Sequence, residues 1–300
     1  MRLLISRHLE NFLALYDARN MHLAAQKKGI SQPALSKSLK VLEESLGATL
    51  FERTHRGLEP TRAGELLHRH ACAIDQEARF ASLNIGEYQS TLGGRIKIGV
   101  GPVLAVSTFP QALADFHHSL PGIEISVETG ISNFLYDGLL NADFDVIAAA
   151  VPEIALPENF TAVQLFTTNM VVICRKDHPM MAASDTTREI MGTFRRVGFV
   201  EDREFEKKSR RFLGGLSDQL QPILQTTSLT IMFGILAATD YYAIVSDLIV
   251  PRARREGLDT FSPLGGLWQL DIDLICKTTL VTSRPLQFLL QAIEEHSKLG

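Results

Sequence analysis

The chain has 300 residues, 45% hydrophobic and 21% charged, a composition that buries real cores over a length suited to two or three domains rather than one. It lacks an apolar run of about 18 residues and a small-residue cleavage site, which argues against a membrane span or secretory leader and predicts a cytoplasmic protein. The net charge is −4, but residues 1–64 carry ten Lys and Arg against six Asp and Glu, a balance of +4, and residues 65–300 carry twenty against twenty-eight, a balance of −8. A basic head on an acidic body points to a nucleic-acid partner at the N-terminal end.

The first ninety residues or so read as helical. Leu9, Phe12, Leu13 and Tyr16 fall at helical spacing and predict a helix from about Ser6 to Ala18. A short second helix, His22 to Lys28, carries the small residues Ala24 and Ala25 and ends at Gly29, whose backbone freedom suits a tight turn. Ser31 as N-cap and Pro33 in the first turn open a third helix over Gln32–Leu46, with an apolar stripe of Leu35, Leu39, Leu42 and Leu46. Two extended arms around Arg56-Gly57 predict a hairpin wing bearing Arg53 and Arg56. From Thr61 a long helix begins. Its apolar positions Leu67, Ala71, Ile74, Ala78, Ala81, Ile85, Tyr88 and Leu92 alternate by four and three, which predicts a seam with a second copy of the chain rather than packing within its own domain. Gly93-Gly94 then mark a domain boundary.

Beyond it, short apolar strands alternate with helices. IKIGV (96–100), IEISVE (123–128) and FDVIAAA (144–150) are followed by VVICR, RVGFV, PILQT and YAIVS. This βαβα order predicts an α/β fold with mainly parallel sheets, divided over some two hundred residues into two subdomains.

Ala25, Gly29 and Leu35 stand at positions five, nine and fifteen of a helix-turn-helix pattern. The alanine lets two helices approach, the glycine relieves the turn, and the leucine anchors the second helix. That leaves Gln32, Pro33, Ser36, Lys37 and Lys40 on the opposite face, where Gln matches adenine, Lys matches guanine, and Ser and Pro meet base edges and thymine methyls. Arg53 and Arg56 suit phosphates. The stretch AAQKKGISQPALSKSLKVLEESLGATLFER followed by THRGLEPTRAG resembles the winged helix-turn-helix of LysR-type transcriptional regulators, and the resemblance extends over the whole chain. It implies a winged helix-turn-helix over 1–60, a linker and dimerisation helix over 61–92, and an effector domain over 93–300 like a periplasmic binding protein. In that domain, subdomain I takes 95–165 and 268–300 and subdomain II takes 166–267. It further implies a dimer of dimers, hence a homotetramer, that binds double-stranded promoter DNA and responds to a small-molecule effector.

The ligand crevice of such a module lies at the carboxyl ends of its strands, where helix N-termini can meet an anion. By resemblance its contributors are Gly101, Pro102, Val103, Gly130, Ile131, Ser132, Phe199, Val200, Thr227 and Ser228. Thr227 and Ser228 also fit a strand-end turn and N-cap. Val103 stands where these regulators often carry a hydroxyl. The basic run Lys207, Lys208, Arg210 and Arg211 reads as a solvated helix face. Cys72, Cys174 and Cys276 form no CxxC or Cys/His cluster and read as small buried hydrophobes. His68, His70, His117 and His118 match no metal-ligand pattern, and no nucleophile elbow, P-loop or dinucleotide fingerprint follows a strand. The expectation is a regulator without enzymatic activity, cofactor or metal. The alternatives are a solute receptor whose N-terminal bundle only oligomerises it, and an architectural DNA-binding protein with a vestigial pocket.

Overall fold

The computed structural model of the chain describes residues 6–54, 57–88, 94–150, 156–182, 188–200 and 202–297. It divides into two compact units, with the main break between Ser82 and Leu83. The first unit comprises α1 (Arg7–Ala18), α2 (Met21–Lys28), α3 (Gln32–Leu46), the wing strands β1 (Phe51–Thr54) and β2 (Gly57–Pro60), and the start of α4 (Arg62–Tyr88). The first three helices are opened by side-chain caps. Ser6 accepts from His8 N, Asn20 from His22 N and Leu23 N, and Ser31 from Ala34 N, each cap contributing about 1 kcal/mol. Gly29 and Gly47 close α2 and α3 at φ +64° and +65°, a conformation glycine adopts without a Cβ clash.

The headpiece core gathers Phe12, Leu15, Ala25, Leu35, Leu42 and Leu50. The inward face of α3 departs from the leucine stripe. Leu46, the last helical residue, is 41% exposed, while Ser38 is buried with its Oγ 2.8 Å from His8 Nδ1 and 2.9 Å from Asn11 Nδ2. A hydroxyl with two partners is as well accommodated there as a methyl group.

The seam reading of α4 needs a similar correction. Leu67 and Ala71 are buried in the headpiece core, and Ile74 packs against it. The first turns of the long helix therefore complete their own domain, whose core the three preceding helices leave open on that side. Ala78 and Ala81 are exposed. The side chains of Ile85 and Tyr88, and all of Leu92, lie outside the described residues, as does Gly93.

The second unit begins β3 (Gly94–Val100), α5 (Phe109–Ser119), β4 (Ile123–Thr129), α6 (Ser132–Leu140), β5 (Val146–Ala150) and the sixteen-residue β6 (Phe160–Arg175). It continues with β7 (Arg195–Phe199), α7 (Arg203–Leu213), β8 (Pro222–Thr226), α8 (Leu229–Ala238), β9 (Tyr241–Ser246) and α9 (Val250–Arg255). It closes with β10 (Leu258–Phe261), β11 (Gln269–Lys277), α10 (Thr278–Val281) and α11 (Arg284–Ser297). The strand order is β4-β3-β5-β11-β6-β9-β7-β8, with β10 also on β6.

The sheet is mixed rather than mainly parallel. β3 pairs parallel with β4 and β5, and β7 with β8 and β9, but β11 runs antiparallel to both β5 and β6, and β6 runs antiparallel to β9 and β10. The chain crosses between the two halves once along β6 and returns once along β11, so these two strands must oppose each other. Successive residues of β6 serve opposite faces. Met170, Val172 and Cys174 join one core with Tyr242 and Ile244, while Ile173 joins another with Ala243 and Val245.

Among the described residues no helix is long and apolar enough to cross a membrane, and no cluster of His, Cys, Asp or Glu could hold a metal ion. Cys174 and Cys276 are buried and Cys72 is half-buried, with its Sγ 3.4 Å from His68 Nε2. Burial, aided by the negative charge of Asp259, pushes the Cys174 thiol up to about 11, and burial alone pushes Cys276 to about 12.

Two predictions follow from this packing. A Cβ built at Gly64 would fall on the Leu50 carbonyl oxygen, well inside contact distance, and that oxygen also accepts from Thr61 N at 2.9 Å. Gly64→Ala should therefore destabilise the headpiece by about 2 kcal/mol, read as a lowered denaturant midpoint. Titration of the native chain with an aromatic disulfide at pH 8 should find one fast thiol, Cys72, with the other two reacting only after denaturation.

Candidate functional site

The N-terminal half of α3 carries Gln32, Pro33, Ser36, Lys37 and Lys40, all exposed. Because Leu35, Ser38 and Leu42 turn inward, helical geometry gathers these five into one strip led by the capped N-terminus. Gln32 Nε2 lies 2.9 Å from His22 Nδ1, so the first turn of α2 orients the leading amide. His22 was not singled out from sequence. The available signal was its place just after the Asn20 cap, at the helix end that meets the start of α3 across the turn. Lys40 and Glu44 approach at 3.8 Å with both side chains largely exposed, a contact of about 0–1 kcal/mol at most that is easily exchanged for a phosphate. Lys27 and Lys28 instead tie α2 to α1 through Asp17 at 3.4 Å and Glu10 at 2.8 Å. Arg53 is exposed on the wing opposite Leu58. Arg56 lies outside the described residues.

The second site is a cleft at the carboxyl ends of the strands in the second unit, the place where such sheets commonly take small molecules. One half contributes Gly101, Pro102 and Val103 after β3, Gly130, Ile131 and Ser132 after β4, and Ala149 and Ala150 at the end of β5. The other contributes Phe199 at the end of β7, Asp202 and Phe205 at the start of α7, and Ile244, Val245 and Ser246 at the end of β9. Met170 of β6 and Leu270 and Ile272 of β11 form the floor where the crossing strands pass. Seven of the ten residues expected at the crevice are thus brought together.

Val200, Thr227 and Ser228 are not part of its lining. The Ser228 hydroxyl accepts from Ile231 N at 3.3 Å and so caps α8, while Thr226 Oγ1 accepts from Ser228 N at 3.0 Å. Asp202 and Phe205 were missed because Asp202 reads as a helix cap. It is one, accepting from Phe205 N at 3.2 Å, and it also lines the cleft. Arg196, 3% exposed, secures that helix with Nη2 2.6 Å from Glu206 Oε1 and its guanidinium 5.1 Å from the Phe205 ring centre.

The polar side chains lining the cleft are Ser132, Asp202 and Ser246, and Ser246 is bonded to Thr168, which is not part of the lining. Thr168 donates to Asp247 Oδ1 at 2.5 Å, and Ser246 Oγ lies 2.5 Å from Thr168 Oγ1. Since the single Thr168 proton is committed to the carboxylate, Ser246 must donate to Thr168, and it also accepts from Leu248 N at 3.3 Å. Val103, in place of a hydroxyl, packs against the core formed by α8 and β9.

Residues 89–298 match the LysR substrate binding domain, and residues 6–65 match the bacterial regulatory helix-turn-helix protein, lysR family. The HTH-type transcriptional regulator PcaQ of Agrobacterium fabrum is 24% identical over 291 residues, covering 96% of this chain and 94% of PcaQ. The HTH-type transcriptional regulator GbpR of Azospirillum brasilense is 33% identical over 175 residues, 58% of this chain and 51% of GbpR. A full-length OxyR from Pseudomonas aeruginosa shares the fold at a TM-score of 0.72 and 19% identity, over 95% of this chain and 93% of that one. Full-length CbnR complexed with its target DNA does so at 0.65 and 17%, over 97% and 99%. With a helix-turn-helix headpiece whose third helix is closed by a side-chain cap, a long helix and a substrate-binding module built on one mixed sheet, the chain belongs to the LysR family of transcriptional regulators.

Proposed function

We propose that the exposed strip of α3 reads operator bases through Gln32, Pro33, Ser36, Lys37 and Lys40, with Arg53 and Arg56 of the wing on phosphates. The observation that carries this is the coincidence of a capped, exposed helix N-terminus with five side chains suited to groove edges. The crevice formed by Gly101, Pro102, Val103, Gly130, Ile131, Ser132 and Phe199 takes a small-molecule effector that alters promoter occupancy, with Asp202, Phe205 and Ser246 added to the set. Val200, Thr227 and Ser228 support its rim through the turns they shape. Acting on chromosomal promoters places the protein in the cytoplasm. Pairing of chains through the later turns of α4 sets two reading helices one turn of DNA apart, about 34 Å, and two such pairs make the tetramer.

Gln32→Ala should cost about 1–3 kcal/mol on operator DNA and much less on random DNA, compared by fluorescence anisotropy at fixed salt; equal losses on both would remove Gln32 from the base-reading set. Arg53→Ala should weaken both alike and lower the slope of log K against log salt by about 1. Ala81→Glu, on the exposed face of α4, should dissociate the pair, seen as a halved mass in sedimentation equilibrium.

A further inference from the structure

A second groove in the same unit shares only Leu248 with the cleft and is lined by different chemistry. It holds about 700 Å³ between the start of α5, the end of α11 and α9, room for a metabolite rather than a bare ion. Three arginines of α9 line it, Arg252, Arg254 and Arg255, all exposed. None is firmly committed. Arg252 Nη2 meets Glu256 Oε1 at 3.6 Å and Arg254 Nε meets Asp259 Oδ1 at 3.9 Å, long contacts in reach of water that an incoming anion readily replaces. Arg255 Nε donates to Pro251 O of its own helix at 3.3 Å. Among the described residues the one carboxylate in the lining is Asp247. Its two oxygens already accept from Thr168 Oγ1 at 2.5 Å and Asn169 Nδ2 at 2.9 Å. His296 is turned to Asp115, with Nε2 2.7 Å from Oδ2.

The α5 side of the groove has donors to spare. No side chain caps the start of this helix, so its first N–H groups lack an intrahelical acceptor. Thr108, which precedes it, lines the groove and is only 9% exposed, yet its Oγ1 has no hydrogen-bond partner. Buried hydroxyls rarely stay unpaired, and a ligand oxygen in the groove would supply what is missing. The Gln111 amide is exposed beside it, and Ser107, whose proton goes to Leu104 O at 3.4 Å, keeps lone pairs for a ligand hydroxyl.

We propose that this groove binds a phosphate monoester of a small hydroxylated molecule. The phosphate is held by the α9 arginines, the start of α5 and Thr108, and the hydroxyl groups turn to Ser107 and Gln111. A phosphate fits this donor set better than a carboxylate does. Its three terminal oxygens accept from several guanidinium forks at once, whereas one fork saturates a carboxylate. Apart from His296 the lining has no aromatic ring, so there is no platform on which a nucleobase would stack.

Calorimetry on the full-length chain tests this with glucose 6-phosphate against glucose, 3-phosphoglycerate against glycerate, and inorganic phosphate as the bare anion. At least one ester should bind tenfold or more tightly than both its dephosphorylated partner and inorganic phosphate. Arg252→Gln combined with Arg255→Gln, at exposed positions where glutamine keeps the helix, should weaken that ester at least tenfold. Thr108→Val should weaken it at least threefold while the thermal midpoint stays level or rises, because valine removes a buried hydroxyl that has no partner. A merely structural Thr108 would leave the affinity where it was. A saturating random DNA duplex should leave the ester bound. The proposal is overturned if neither ester outbinds its dephosphorylated partner, or if inorganic phosphate binds as tightly, which would mark an adventitious ion only. It is equally overturned if the folded arginine variant or Thr108→Val binds as the parent does, or if the duplex displaces the ester, which would put the phosphate on the headpiece.

Discussion

The effector half depends on one ladder, the antiparallel pairing of β6 with β11. Gln269 to Lys277 of β11 pairs with Asn169 back to Phe160 of β6, with a register shift between Ile272 and Asp273. β11 goes on to bind β5, and β6 goes on to bind β9 and β10. Each half of the sheet is therefore completed by strands that also belong to the other, and the backbone hydrogen bonds of the crossing are satisfied without a loop. A strand buried in a ladder bends rather than breaks, so the two halves can tilt about this crossing while both cores stay closed. The cleft sits above it. Met170, Leu270 and Ile272 make its floor, so the surface a ligand touches is also the element on which the halves would turn.

The headpiece obeys a different constraint, which is that short helices need their ends and one face satisfied. Ser6, Asn20 and Ser31 close the starts, Gly29 and Gly47 close the ends, and a small core fixes the crossing of three helices. With one face of α3 committed inward and its first turn held by Ser31, the outward strip has a definite position before any DNA arrives. That pre-organisation matters because the ordering of flexible side chains is a principal cost of association. The His22–Gln32 contact extends it to the leading side chain.

How much of this was legible in the sequence follows from how local each signal is. The bounds of α3 could be read because Ser31, Pro33 and Gly47 act within one turn of themselves, β3 and β5 announce themselves as apolar runs with buried ends, and β4 as an alternating one. β6 and β11 were hard because their partners lie a hundred residues away. The first part of β6, FTAVQLFTTN, is largely half-exposed, and β11 interleaves Asp271 and Asp273 with its apolar residues, so neither reads as a core strand. Gly101 and Gly130 were placed at the crevice by the family resemblance, and both line it. Ser228 is ambiguous because a helix cap and a ligand contact ask for the same residue type, and here its hydroxyl closes α8. The Leu67–Leu92 repeat is ambiguous in a related way. A heptad specifies an apolar stripe but not its partner, and the headpiece supplied that partner for Leu67, Ala71 and Ile74.

An apolar cleft over a bending crossing also makes a sufficient switch in energetic terms. Coupling between sites in regulatory proteins is typically about 1–3 kcal/mol, and each methylene removed from water stabilises the bound state by about 0.8 kcal/mol. A ligand that buries two to four such groups against Phe199 and Phe205 only when the halves are closed therefore supplies the whole coupling, with no ion pair.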